Sequence, residues 1–213
     1  MNVYVYVEGP SDEYALQVLL STLLDRKRDK GIAINFYQSP EGDRKKTLLT
    51  KVPARAVNIL AGVPASCVVA LPDLYPKNRA FPHETADELR AGMMECFRRA
   101  LAVRSLGDDL RLESRFHVFC FKHDMEALLL ACPDSLARRL KTGRLTTTWV
   151  VPVEDQDHGQ PPKRVVEGLF RHHGGEYRDT VDAQVILRGQ DYSAVTSACP
   201  QCFGPFVDFL ESL

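Results

Sequence analysis

Three apolar runs in the sequence finish in acid. Residues 2–7 run into Glu8, residues 67–71 are followed by Pro72 and Asp73, and residues 115–121 lead to Asp124 and Glu126. Carboxylates gathered in one place repel one another, and a bound hard cation relieves the repulsion. Magnesium, or manganese in its place, suits such a set, because it takes oxygen ligands and keeps several of its waters. The chemistry on offer is therefore that of a divalent ion held by carboxylates and water. Each acid taken alone has an ordinary explanation as a helix cap or a solvated loop charge. The expectation rests on convergence of the strand ends. Asp12 and Glu13 have the ordinary explanation already, since acids in the first turn of a helix are favourably placed against its dipole.

The elements that must position these acids can be read from the pattern. Residues 2–7 are β-branched and aromatic and stop at Gly9-Pro10, which predicts a strand buried on both faces. A helix should follow, capped by Ser11, with Leu16, Leu20 and Leu24 on one face. Residues 32–37 form a second predicted strand, and 39–46 a polar loop. A helix is expected around 53–60, with Pro53 near its first turn. Residues 67–71 are a third strand, 83–104 a long amphipathic helix and 115–121 a fourth strand. His123-Asp124-Met125-Glu126 then opens a helix at 127–131, with another short one at 133–140. Strands alternating with helices imply an α/β fold, a mainly parallel four-stranded sheet flanked by helices. Parallel sheets of this kind place ligands at the carboxyl ends of their strands. The expected division is an α/β core over 1–145, then a polar loop and a C-terminal helical cap over 146–213.

Composition sets the outer bounds. With 213 residues, 45% hydrophobic, the chain can bury one sizeable core. The 27 basic residues nearly balance the 28 acidic ones. A protein that grips a nucleic-acid backbone unaided is usually more basic, so any such grip must come from a local surface or a partner. No apolar run approaches the roughly 18 residues of a membrane helix, and no membrane partner is expected. The six cysteines are scattered without scaffold spacing, which fits a reducing cytoplasm.

Arg44, Lys45 and Lys46 are the best-placed basic residues for nucleic acid, because they lie in a loop after the second strand. Their ordinary reading is a solvated helix end. Lys163 follows Pro161-Pro162 at a helix start, where a cation opposes the helix dipole at a cost of about 0.3–1 kcal/mol. His172, His173, Cys199 and Cys202 could be combined into a zinc site. A single Cys-x-x-Cys pair is a weak signal, and buried thiols with surface imidazoles are the plainer reading. No Walker-type or Gly-x-Gly-x-x-Gly loop is present.

Together these segments resemble a family. The stretch VYVEGPSD, residues 5–12, is similar to the first motif of Toprim domains, in which a strand delivers a glutamate followed by glycine. The stretch ALPDLYP, residues 70–76, stands where that family has Asp-x-Asp, and HDMEALLL, residues 123–130, resembles the Asp-x-Glu segment of the OLD-type (overcoming lysogenisation defect) nucleases. The pattern is most like a bacterial domain-of-unknown-function family within the Toprim-like group, and spans roughly residues 1–190. The resemblance implies magnesium-dependent phosphodiester chemistry. Glu8 would be a metal ligand or general base, Asp73, Asp124 and Glu126 metal ligands, and Lys163 an aid to the phosphate. Tyr75 departs from the pattern by replacing the second acid of Asp-x-Asp, which weakens two-metal chemistry in particular. The leading expectation is a metal-dependent nuclease or phosphodiesterase, with defence against foreign DNA as the role implied by analogy. The alternative is a non-catalytic module that docks onto a separately encoded ATPase, because OLD-type proteins join an ATPase to this domain. A small-nucleotide phosphatase is a weaker third reading. A homodimer is compatible with each.

Overall fold

The computed structural model describes residues 1–39, 42–107 and 109–213. Pro40 and Glu41, part of the loop expected at 39–46, lie outside the described residues. The chain runs β1 (Asn2–Val7), α1 (Pro10–Leu19), α2 (Ser21–Asp29), β2 (Ala33–Gln38), α3 (Arg44–Thr50), α4 (Val52–Gly62), β3 (Ser66–Leu71), α5 (Ala86–Val103), α6 (Leu110–Glu113) and β4 (Phe116–Val118). It continues through α7 (Glu126–Leu130), α8 (Pro133–Arg139), a 3-10 turn at Val153–Asp155, α9 (Pro162–His172), α10 (Asp179–Leu187), α11 (Tyr192–Ala198) and α12 (Phe203–Ser212).

The four strands form one sheet in the order β2-β1-β3-β4, and every pairing is parallel. This is the α/β architecture that the Toprim resemblance implies. Parallel pairing sends all the strands' carboxyl ends to one edge. In register, Val7 lies beside Leu71, so Glu8 and Pro72 leave the sheet at the same height. A further parallel bridge ties Asp73 to Phe121 beyond the regular ladder. The acids after β1, β3 and β4 are thereby brought to a common edge.

Alternation of side chains divides the core in two. Val3, Val5 and Val7 face one side, with Leu16, Leu19 and Leu23 from α1 and α2. Val166, Leu169, Ile186, Phe203 and Phe206 from the C-terminal helices pack into that same cluster. Tyr6, Val68 and Ala70 face the other side, against Leu48, Val57, Met93 and Phe97. The central strand β3 is buried throughout, and burial of so continuous an apolar run is a main contribution to stability.

Several boundaries differ from the sequence expectation for identifiable reasons. The cap of α1 is Gly9, not Ser11, because Pro10 takes the first helical position, where its missing N–H costs nothing. The expected continuous helix bends at Leu20, and the bend keeps Leu16, Leu19, Leu20 and Leu23 all buried. The long helix expected from residue 83 begins at Ala86, where Thr85 accepts from the Glu88 N–H and Glu88 accepts from the Thr85 N–H, each at 3.2 Å. The regular ladder of the fourth strand covers Phe116–Val118, with the isolated bridge at Phe121 beyond it. Arg44, Lys45 and Lys46 are not in a loop. They form the first turn of α3, capped by Asp43, which accepts from the Lys46 N–H at 2.9 Å.

Candidate active site

The turn from β1 into α1 carries two acids, not one. Glu8 ends the strand, and Asp12 sits one helical turn later, its carboxylate accepting from the Gly9 N–H at 2.9 Å. Glu8 reaches across to β3's exit, where its Oε1 accepts from the Asp73 N–H at 3.0 Å. Asp124 and Glu126 arrive with the start of α7, and Glu126 is buried. Asp124 accepts from the Lys163 N–H through Oδ1 at 3.1 Å and Oδ2 at 3.3 Å. That bond docks the beginning of α9 onto the acidic edge.

Two ammonium groups enter this space. The Lys45 Nζ lies 3.9 Å from Glu8 Oε1 and donates to the Pro76 carbonyl at 2.5 Å. The Lys163 Nζ lies 3.7 Å from Glu126 Oε1 and 3.5 Å from Asp179 Oδ2. Five carboxylates on the β1, β3 and β4 exits therefore face two lysines, and the electrostatics reflect the imbalance. Burial, with the charges of Glu8 and Glu126, pushes Asp12 up to about 7 despite the Gly9 N–H. Burial and the neighbouring Glu126 push Asp124 up to about 8. Asp73 is raised well above the ordinary range by burial and by Glu8 and Asp12. Glu8 and Glu126 are raised by burial, with Lys45 and Lys163 respectively opposing the rise. Lys45 is lowered because burial outweighs the surrounding carboxylates. For Lys163 burial is the largest influence, yet Glu126, Asp179 and Asp124 together raise it.

A cluster so overloaded with carboxylate oxygen fits a hard divalent cation. Among the described residues, no group of three or more His, Cys, Asp or Glu stands ready to enclose an ion. Glu8, Asp12 and Asp124 each have an oxygen on a backbone N–H. Magnesium does not require a closed protein cage. It is commonly held by one or two carboxylates, with water and phosphate completing its shell.

The structure thus brings Glu8, Asp73, Asp124, Glu126 and Lys163 together. Lys45 belongs to the interior of the site, beside Glu8, and not to a rim. Arg44 borders the β1–α1 turn, its Nη1 being 3.3 Å from where a Cβ on Gly9 would stand. Lys46 is exposed. Sequence reasoning missed Asp12 as a site residue, because a first-turn acid already had an explanation. The signal was its spacing of four residues from Glu8 across a Gly-Pro turn, which sets both acids on the same end of the sheet. The Tyr75 hydroxyl donates to the Glu84 carbonyl at 2.7 Å.

The zinc combination does not form. His172 and His173 are exposed at the end of α9, whereas Cys199 and Cys202 are buried. Cys202 Sγ packs 3.7 Å from Cys120 Sγ, and these thiols serve as core residues. Among the described residues, no helix is long and apolar enough to cross a membrane.

No curated protein matches the chain significantly. Solved structures similar to it include the C-terminal region of the Burkholderia pseudomallei OLD protein. That match has a TM-score of 0.47 and 15% identity, covering 99% of this chain and 96% of that one. The C-terminal region of the Xanthomonas campestris pv. campestris OLD protein, phased with mercury, gives 0.43 and 14%, covering 93% of each chain. Residues 7–211 match the family described as Domain of unknown function (DUF4276), and with nearly the whole chain so matched, the protein belongs to that family.

Proposed function

We propose that this protein is a metal-dependent phosphodiesterase of the Toprim/OLD type, acting on nucleic acid. The observation that carries the reading is the meeting of Glu8, Asp12, Asp73, Asp124 and Glu126 with Lys45 and Lys163 at the carboxyl edge of the parallel sheet. Glu8, Asp73, Asp124 and Glu126 would hold magnesium or manganese. When bound, the ion supplies polarisation of a phosphate oxygen and a more acidic water. The chain's own groups do the rest. Lys163 presents its ammonium to a non-bridging phosphate oxygen, and its backbone N–H holds Asp124 in place. A carboxylate raised towards neutrality, Asp12 or Asp124, is poised to take and return a proton near pH 7. Lys45 offsets the charge of Glu8 and Asp73, which leaves room for an anionic substrate. The six free thiols support a reducing, cytoplasmic setting. The near-neutral charge leaves the grip on a long nucleic acid to a partner, and a separately encoded ATPase is the partner that the OLD resemblance suggests. Defence against foreign DNA is the role that follows by the same analogy.

A second reading is favoured by Tyr75, which removes an acid from the Asp-x-Asp position. It makes the domain a non-catalytic module docked on that ATPase. The two part on one experiment. Purified protein, alone and with a co-encoded ATPase, is incubated with DNA and RNA in manganese. The enzymatic reading predicts nicking that is lost in Asp73→Asn while the fold survives. No nicking from wild type in either setting supports the docking module, whereas nicking that persists in Asp73→Asn comes from a contaminant or another site and overturns the role given to Asp73.

A further inference from the structure

Beside the acidic edge lies a cleft of about 670 Å³, and Asp124 forms part of its wall. Its other walls include Tyr75, His123, His158 and Arg164. The three rings are grouped: His158 meets Tyr75 edge-on at 4.3 Å between centroids. His123 lies 5.7 Å from Tyr75 and 5.0 Å from His158. His123 is 3% exposed, and its buried Nε2 has no hydrogen-bond partner among the described residues. A buried imidazole nitrogen without a partner costs free energy unless a ligand completes it. Arg164 is exposed at the rim, while Lys77, whose Nζ stands 6.0 Å over the Tyr75 ring, is paired with Glu84.

We infer that this cleft is a nucleobase subsite, in which an unpaired base of single-stranded nucleic acid stacks against Tyr75 and His158 and hydrogen-bonds to His123 Nε2. The inference rests on the phosphodiesterase reading for the place of the reacting phosphate, and it narrows the substrate to strands whose bases can leave the duplex. The geometry is continuous, because Asp124 belongs both to the cleft wall and to the acidic cluster. A base in the cleft therefore sits next to a phosphate at Glu8 and Asp73. Aromatic rings accept any base by stacking, and a base buried within a duplex cannot reach such a recess without being extruded. Tyr75 replaces a carboxylate of the Asp-x-Asp pattern, and the substitution exchanges a metal ligand for a stacking surface. Arg164 at the mouth offers a cation to the flanking backbone phosphate.

The test is fluorescence anisotropy with a short labelled single-stranded oligodeoxynucleotide and its blunt duplex. Both are measured in calcium to permit docking of the phosphate. Wild type should bind the single strand at least about tenfold more tightly than the duplex. Tyr75→Leu should lose about tenfold or more of the single-strand affinity, and Tyr75→Phe should keep it, with all three proteins melting alike. Equal single-strand affinity in Tyr75→Leu and wild type overturns the subsite. So does an equal loss in Tyr75→Phe, which would assign the effect to the hydroxyl's bond with Glu84. Absence of measurable single-strand binding in wild type overturns it as well. The fate of the enzymatic reading is separable. Manganese-dependent nicking with unaltered Tyr75→Leu binding removes the subsite alone. Ring-dependent binding in a protein that nicks nothing removes the phosphodiesterase alone.

Discussion

At the scale of single residues, the site is defined by charge that does not balance. On the proposed reading Lys163 is the cation that meets a substrate phosphate, and its position at the start of α9 opposes the helix dipole. Glu126, Asp179 and Asp124 offset that opposition in the resting protein. Losing one electrostatic stabiliser of a transition state typically costs about 10²-fold in turnover. Lys163→Met should therefore lower kcat by about that much and leave metal affinity unchanged or slightly improved, as read by steady-state kinetics and metal titration. The crowded acids also set a pH dependence. Asp12 and Asp124 hold their protons up to about 7 and about 8 in the folded chain, against about 4 for an unfolded aspartate. A carboxyl raised on folding contributes stability that is full below the unfolded value and lost as pH rises through the folded one. The melting temperature of metal-free protein should thus fall between about pH 4 and about pH 8. Millimolar magnesium should recover most of that loss at the upper end, through binding to the folded state. A melting temperature that rises over this interval would contradict the crowding.

At the scale of elements, the strands are readable because their apolar runs are short, and three of the four end abruptly in acid. Helix starts were less readable. Gly9-Pro10 reads as a turn before a Ser11 cap, yet proline's preference for the first helical position moves the helix forward. That shift places Asp12 at the third helical position, where its carboxylate accepts from the Gly9 N–H beside Glu8. Likewise Arg44–Lys46 lacks an apolar stripe of its own and reads as loop, although Leu48 and Leu49 behind it are fully buried and anchor a helix. The connection before α9 shows another device without a sequence signature. Glu154, 2% exposed, accepts from the N–H groups of Gln201, Cys202 and Phe203, which ties the 3-10 turn to the start of α12. Glu154→Ala should leave those donors unsatisfied and destabilise the fold by about 1.5–3 kcal/mol. Glu154→Gln should cost less, because it keeps an acceptor. Chemical denaturation of the two variants would check this, and equal stability of Glu154→Ala and wild type would contradict the tie.

At the scale of the whole molecule, helices α9, α10 and α12 share a core with the sheet. Val166, Ile186, Phe203 and Phe206 join the cluster built on Val3 and Val5, and Lys163 reaches the acids because of that packing. Sequence alone supplied the acids but not their meeting, since convergence depends on strand order and on long-range pairing of β1 with β3. Lys45 in the interior and the aromatic cleft beside Asp124 belong to the same class: they exist only once distant segments are folded together. The central claim is that this meeting of carboxylates holds a catalytic divalent ion. It is tested most directly by soaking crystals in manganese and locating the ion by its anomalous scattering. The account predicts a peak within coordination distance of Glu8 or Asp73 in wild type, and its loss in Glu8→Gln crystals of the same fold. Manganese absent from this edge at saturating soak, or retained there undiminished in Glu8→Gln, would contradict it.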